Sequence, residues 1–485
     1  MRKREFFEIT KFARRYDRTT GKFVINIAYK TRTDITDRTI AVHEAFGLGV
    51  DDYQRHVVYD NVELKIGPND VVYITGESGS GKSVLLRALE KDLGEKAVNI
   101  NDVKLDKDKP LIDCVGKTVE EGLELLSRVG LNDAFLFVRR YSQLSDGQKY
   151  RYRIAKLIES GKQFWVMDEF CATLDRDTAK IVAYNLQKLA RQEGKAVLAA
   201  TTHTDLFEDL KPSVHVHKRF GKEIEVCYFP NEPAKESSLN KEIRIEEGTR
   251  SDYELLAGFH YRSHQIGIVR KIFRAVRGDE VAGVIVYCYP GMTVAGRLKV
   301  LPKLSVKDLN QKLSVIMRVV VHPKYRTIGL GQRLVRETLP LVGTPYVETI
   351  AVMAKYNPFF QRAGMQKIME QSPPKHALAI RDVLSNLGFN IVLLGSQKYV
   401  LNKLRSLSDE QVLETRHAFM KNVHVRFLKE FFYHEPYGKR ELYRQRVETA
   451  TLEKLTKLIH VTALLLQTKV YLFWKRNEKK EEKRD

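Results

Sequence analysis

Gly76-Glu77-Ser78-Gly79-Ser80-Gly81-Lys82-Ser83 follows directly on the apolar stretch Val71 to Thr75 and runs into the helical pattern Val84, Leu85, Leu86, Ala88 and Leu89. Few arrangements constrain a chain more. Glycine at positions 76, 79 and 81, with the small Ser78 between them, lets successive backbone N–H groups close around an anion where a Cβ would clash. Lys82 can reach the terminal phosphates, and the Ser83 hydroxyl can hold Mg²⁺. A strand, such a loop and a helix form one unit of an α/β sheet, and the chain is expected to hydrolyse a nucleotide.

At 485 residues there is room for about three domains, each with its own core. The 82 Lys and Arg against 61 Asp and Glu leave a net charge of +21, which favours a polyanionic partner: RNA, DNA or an acidic protein surface. Cys114, Cys171, Cys227 and Cys288 form no C-x-x-C pair, so neither a disulfide framework nor a zinc site is expected, and a reducing compartment fits. The start, Met1 to Glu8, has no apolar core of signal length. The longest apolar stretch, Leu455 to Trp474, holds Lys457, His460 and Lys469 and reads as an amphipathic helix, not a membrane span. A cytoplasmic protein without membrane partners is expected.

Residues 1–49 read as a basic, strand-rich segment, with Phe23-Val24-Ile25-Asn26-Ile27 alternating and ten Lys/Arg against three Asp/Glu in the first 32 residues. A hairpin facing nucleic acid and an edge sheet with a solvated charged face both fit. The run 229–241, opening Phe229-Pro230-Asn231-Glu232-Pro233, is rich in turn formers and reads as a linker. It separates a module at 50–228 from one at 242–372. From 373 to 485 helical patterns follow, Ser408-Asp409-Glu410-Gln411 marking a helix start, with 20 Lys/Arg against 12 Asp/Glu in the last hundred residues.

Downstream of the phosphate loop, Phe164 to Met167 is an apolar strand ending in Asp168 and Glu169. The first carboxylate is placed to hold Mg²⁺ through water and the second to polarise an attacking water. Between loop and strand lies Leu144-Ser145-Asp146-Gly147-Gln148; after the strand come Ala172-Thr173-Leu174-Asp175 and then Ala196 to Ala200 leading into Thr201-Thr202-His203. In this order, over residues 50–228, the chain resembles the ABC-type ATPases, matching their Walker A, signature, Walker B, D-loop and switch-histidine motifs. The resemblance implies ATP and Mg²⁺ as ligands and a homodimer, with Asp175 in the D-loop. Ser145 and Gly147 of one protomer would cap the γ-phosphate held by its mate, and His203 would sense that phosphate. A small residue and a free helix N-terminus suit an anion approached from the far side.

Three positions depart from the family pattern. Asp146 replaces a signature glycine and adds negative charge near a phosphate. No glutamine lies between Ser83 and Ala134, so the residue linking the metal to the helical subdomain is missing or replaced, with Pro110 to Asp113 as the place to look. The aromatic platform for adenine, expected roughly thirty residues before the lysine, is Tyr53 or Phe46, or else these are core aromatics.

In the second module, Ser314 to Val321 reads as a strand, followed by His322-Pro323-Lys324-Tyr325-Arg326-Thr327-Ile328-Gly329-Leu330-Gly331 and a helix through Leu334 and Val335. An R-x-x-G-x-G turn between strand and helix presents consecutive amides to a pyrophosphate. These residues resemble motif A of the GNAT acetyltransferases, and Tyr346 to Ile350 with Asn357-Pro358-Phe359-Phe360-Gln361-Arg362-Ala363-Gly364-Met365 is similar to the strand and helix that follow it there. The resemblance implies acetyl-CoA bound by Val319, Val321, Arg326, Thr327, Ile328, Gly329, Leu330, Gly331, Asn357 and Phe360, and direct transfer of acetyl to an amine. Phe360 stands where many members carry the tyrosine that protonates the leaving thiolate; Tyr356, one helical turn earlier, is the candidate substitute. Glu348 and His322 are the candidate bases. Gly291 to Leu313, with Arg297, Lys299, Lys303, Lys307 and Lys312, is either a guide for nucleic acid or a solvated loop.

The expected fold is α/β: an ABC-type P-loop ATPase domain, then a GNAT α/β acetyltransferase domain and a helical C-terminal region. The chain resembles ABC-type ATPases fused to an acetyltransferase domain, which implies ATP-dependent acetyl transfer. On charge, the acceptor is an amine of a nucleic acid, RNA ahead of DNA. A protein acceptor, or a DNA-repair or defence ATPase whose second half only binds CoA, are the alternatives.

Overall fold

The structure, a computed structural model, describes residues 7–17, 19–31, 35–49, 55–131, 133–260, 266–292, 294–352, 354, 357–432 and 439–476. The chain divides into two compact units, residues 1–288 with 316–342 and residues 289–315 with 343–485.

In the first unit the N-terminal segment forms β1 (Phe7–Asp17) and β2 (Lys22–Thr31), paired antiparallel, and β2 pairs antiparallel with β3 (Arg55–Lys65). Next come β4 (Val71–Gly76), β5 (Ala97–Asn99), β6 (Phe164–Met167), β7 (Ala196–Ala200), β8 (Val214–Lys218) and β9 (Ile224–Tyr228). They form one sheet in the order β5-β6-β7-β4-β8-β9, parallel except for β8 with β9. β4 is buried along its whole length, as an inner parallel strand covered on both faces should be. Its side chains alternate: Val71 and Tyr73 share a core with Trp165, Met167, Val182 and Leu186, while Val72 and Ile74 share one with Ile25, Ile27, Leu85 and Leu89. Packing on both faces fixes the strand where its end releases the chain into the loop before the helix Lys82–Leu93.

The same unit holds β10 (Arg244–Glu247), β11 (Val269–Arg277), β12 (Glu280–Cys288) and residues Ile316–Val321 of β13 (Leu313–Val321), in that spatial order. β11 pairs antiparallel with both β10 and β12. After β13 the chain turns into the helix Leu330–Thr338, which buries Leu330, Leu334 and Val335.

In the second unit, Leu313–Val315 of β13 pairs parallel with Tyr346–Glu348 of β14 (Tyr346–Ala351), and the register ends there. β15 (Gln366–Gln371) and β16 (Lys469–Lys475) complete the order β13-β14-β16-β15, β16 running antiparallel to both neighbours. Between β15 and β16 in the chain, helices from Lys375–Asn386 to Leu452–Leu465 build a separate core that includes Leu384, Phe419, Tyr443 and Leu458. This corrects the expectation of one amphipathic helix over Leu455 to Trp474. The helix stops at Leu465, and Lys469–Lys475 is a strand between two others. A short apolar run buried on both faces carries no period that separates strand from helix; Val470, Tyr471 and Phe473 are good strand formers. No helix among the described residues is long and apolar enough to cross a membrane.

Candidate functional site

The loop from Gly76 to Ser83 is held open by its neighbours. Gly76, Gly79 and Gly81 all have φ in the left-handed range, at 142°, 78° and 104°. A Cβ at Gly76 would lie 1.9 Å from the Lys218 carbonyl oxygen, and one at Gly81 would meet Val58 Cγ1 at 2.4 Å. The Tyr59 hydroxyl donates to the Gly81 carbonyl at 2.9 Å. Lys82, itself buried, donates through Nζ to the carbonyls of Gly76 (2.7 Å) and Glu77 (2.6 Å). Burial pushes this ammonium below its usual range against the pull of Asp168, so a second anion beside it is electrostatically favoured. The Ser80 hydroxyl is buried without a partner, leaving a donor in the cradle for a phosphate. These features fit ATP.

Ser83 Oγ donates to Asp168 Oδ1 at 2.9 Å, which brings together the two oxygens expected to hold Mg²⁺. Glu169 follows at φ 53°, exposed, with its N–H donating to Asp168 Oδ1. His203 lies at the end of the neighbouring strand β7; its N–H donates to Thr201 Oγ1, and its carbonyl accepts from the Tyr73 hydroxyl. Ser145 caps the helix Asp146–Glu159, and a Cβ on Gly147 would meet Thr178 Cγ2 at 3.1 Å. The extra charge of Asp146 is met by Lys149 Nζ at 3.3 Å. Asp175 caps the helix Arg176–Gln192 by accepting from the Thr178 N–H. Pro110 to Asp113 enters a 3₁₀ turn whose Leu111 N–H donates to the Arg139 carbonyl. Tyr53 lies outside the described residues, and Phe46 stands 76% exposed on the helix Asp37–Phe46.

The second glycine turn also opens a helix. Gly329 is exposed at φ 84° and has open space where a Cβ would stand; Thr327 takes φ 79°. Among the described residues no acceptor meets the amides of Ile328, Gly329 or Leu330, which leaves donors without a partner at this helix N-terminus. Ile328 and Leu330 are buried, and Val319 and Val321 lie half-buried on β13. Arg326, however, is turned to Asp133 at 3.8 Å, its side chain only 10% exposed. Burial lowers its guanidinium against the pull of Asp133. Sequence reading missed this contact, and a second one. Asp177, in the first turn after Asp175, binds Lys324 Nζ and Arg277 Nη1, each at 2.7 Å.

His322 caps the 3₁₀ turn Pro323–Tyr325 and packs edge-on against Phe259 at 5.0 Å; burial lowers its imidazole. In the second unit Glu348 is buried, and Arg297 Nη2 and Nε reach its two oxygens at 2.5 and 3.0 Å while the Tyr471 hydroxyl donates at 2.9 Å. Both of its oxygens are engaged, and Arg297 is withdrawn from any basic arm. Phe360 is buried against Phe359, ring centres 4.1 Å apart, and Asn357 is half-buried. Tyr356 lies outside the described residues.

A family model described as ABC transporter matches residues 59–113. The chain is similar to the cytochrome c biogenesis ATP-binding export protein CcmA of Reclinomonas americana, 26% identical over 200 residues that cover 35% of this chain and 86% of that protein. It is also similar to the methionine import ATP-binding protein MetN 1 of Oceanobacillus iheyensis, 29% identical over 222 residues that cover 37% of this chain and 65% of the importer, less than two thirds of its length. Among solved structures, the dimeric post-hydrolysis state of the ATP-binding cassette MJ0796 bound to ADP and Pi shares 20% identity over 36% of this chain and 91% of that one, with a TM-score of 0.30.

Proposed function

From the premise that this chain carries an ABC-type P-loop domain that binds and hydrolyses ATP with Mg²⁺, we propose that it couples ATP turnover to acetyl transfer from acetyl-CoA onto an amine of a nucleic acid, RNA ahead of DNA. The reading places it in the cytoplasm as a homodimer closed over two nucleotides. The observation that carries it is the turn Arg326–Gly331, in which the amides of Ile328, Gly329 and Leu330 meet no acceptor among the described residues and Gly329 stands exposed at a helix start. That is what a pyrophosphate requires of a backbone. The strand orders β10-β11-β12-β13 and β13-β14-β16-β15 support the expected acetyltransferase half. Because Arg326 is engaged by Asp133, the carrier would be held by amides more than by the guanidinium. Coupling has a direct route: Asp177, two residues beyond the D-loop Asp175, grips Lys324 just ahead of the turn. The nucleic-acid acceptor rests on the charge of +21.

Labelled acetyl-CoA incubated with RNA, DNA and protein extract, with and without ATP, tests this. ATP-dependent label on RNA is the expected result; label on proteins alone removes the nucleic-acid acceptor. A second reading, in which this half only binds CoA, is favoured by Phe360, which has no proton to give, and by Glu348 with its oxygens occupied. Under it CoA binds and no label moves.

A further inference from the structure

Tyr73 stands on the inner strand β4, just ahead of the phosphate loop, and is fully buried. A phenol there needs an acceptor. It finds the carbonyl of His203, just beyond the neighbouring strand β7. Its ring is stacked on His215, centres 5.6 Å apart, and His215 is fixed in turn by Thr75 Oγ1, 2.9 Å from its Nε2, and by the edge of Phe207 at 5.3 Å. The hydroxyl has little freedom to swing elsewhere. Burial raises the phenol above its usual range, so it stays protonated, and a donor, at neutral pH.

The segment after β7 is held at alternate residues. The Thr201 N–H donates to the Ile74 carbonyl at 3.0 Å, the His203 N–H to Thr201 Oγ1 at 3.3 Å, and Arg176 Nε to the Asp205 carboxylate at 3.0 Å. The His203 backbone is thus pinned through both its N–H and its carbonyl, while its imidazole meets no hydrogen-bond partner among the described residues. The contacts fix where the side chain starts and leave its ring available to a ligand.

We propose that Tyr73 is a positioning residue for ATP hydrolysis, its hydroxyl aiming the His203 imidazole by holding the His203 carbonyl. This rests on the reading of His203 as the group that senses the γ-phosphate. Tyr73 and the first residue of the phosphate loop belong to one strand, so the sensor and the phosphate it would sense share a foundation. Removing the hydroxyl leaves the loop in place and loosens the sensor.

Single-turnover hydrolysis, with the full chain in excess over labelled Mg-ATP, tests the proposal beside ATP affinity measured by calorimetry. Tyr73→Phe keeps the buried ring and removes only the hydrogen bond. The hydrolysis rate should fall about tenfold, the size of effect one such bond has on a barrier, with ATP affinity unchanged. In a His203→Ala background the same substitution should change nothing further, since the group being aimed is gone. An unchanged rate in Tyr73→Phe would overturn the proposal. So would an equal loss in both backgrounds, or a loss of ATP affinity as large as the loss of rate, since either would make the hydroxyl a support of the strand. His203→Ala alone separates the premise: if it hydrolyses ATP at the parent rate, the reading of His203 falls and takes the positioning role with it.

Discussion

Two strand–turn–helix cradles in the first unit solve one problem in different ways. The Gly76–Ser83 loop carries its own cation: Lys82 spans the opening, Gly76 leaves room for the Lys218 carbonyl and Gly81 for the Val58 side chain. The Arg326–Gly331 turn has one exposed glycine, a threonine at φ 79°, and an arginine paired with Asp133. Its charge balance is set by residues more than a hundred positions earlier, Asp133 and Asp177. The first cradle has its charged side chain within the loop itself. The second turn has its nearby cations, Arg326 and Lys324, paired with the acids Asp133 and Asp177.

The sharpest way to break this contrast is to stop the first cradle after it has filled. Glu169→Gln removes the exposed carboxylate next to Asp168 and leaves Lys82 and Ser83 intact, so ATP should still bind while turnover falls by about 10² to 10⁴, the range for a lost general base. With hydrolysis blocked the capped dimer should accumulate, visible as doubled mass in light scattering. A species that stays monomeric with saturating ATP would count against capping between protomers.

Next in size is Gly329→Glu. The site has open space, so the side chain fits, but it places a carboxylate on the anion cradle and forces a non-glycine residue to φ 84°. CoA affinity should fall about a hundredfold, with ATP hydrolysis unchanged. If both activities fall together, the two cradles are one cooperative unit and the contrast above is wrong.

Much of this was legible from local pattern. The loop at Gly76, the strand ending in Asp168, the cap at Ser145 and the glycine turn after β13 are all written within a few residues of the feature they make. What was not legible joins distant positions: Asp133 with Arg326, Asp177 with Lys324, Arg297 with Glu348. A lone acid or base in a sequence that is 29% charged carries no mark of its partner. β16 was misread because a run buried on both faces shows no alternation.

The smallest expected effect tests the governing contact itself. Asp177→Asn keeps the size of the side chain and removes the charge that Lys324 and Arg277 share. The cluster is partly solvated, so the loss of stability should be about 1–2 kcal/mol, between the values for exposed and buried pairs. Burial alone would raise the Asp177 carboxyl; hydrogen bonds and charge from Lys324 and Arg277 outweigh it and hold the group below its ordinary value of 3.8. A carboxyl depressed in the folded state stabilises at all pH values above its unfolded value and loses that contribution as pH falls through the folded one. The stability gap between parent and Asp177→Asn should therefore be flat from about pH 5 to 8 and close below about pH 4, as read by chemical denaturation. A gap that persists undiminished at pH 3 would mean that the asparagine disturbs packing, not charge. A gap that closes while ATP affinity stays constant throughout would tie the second cradle, and not the first, to this acid.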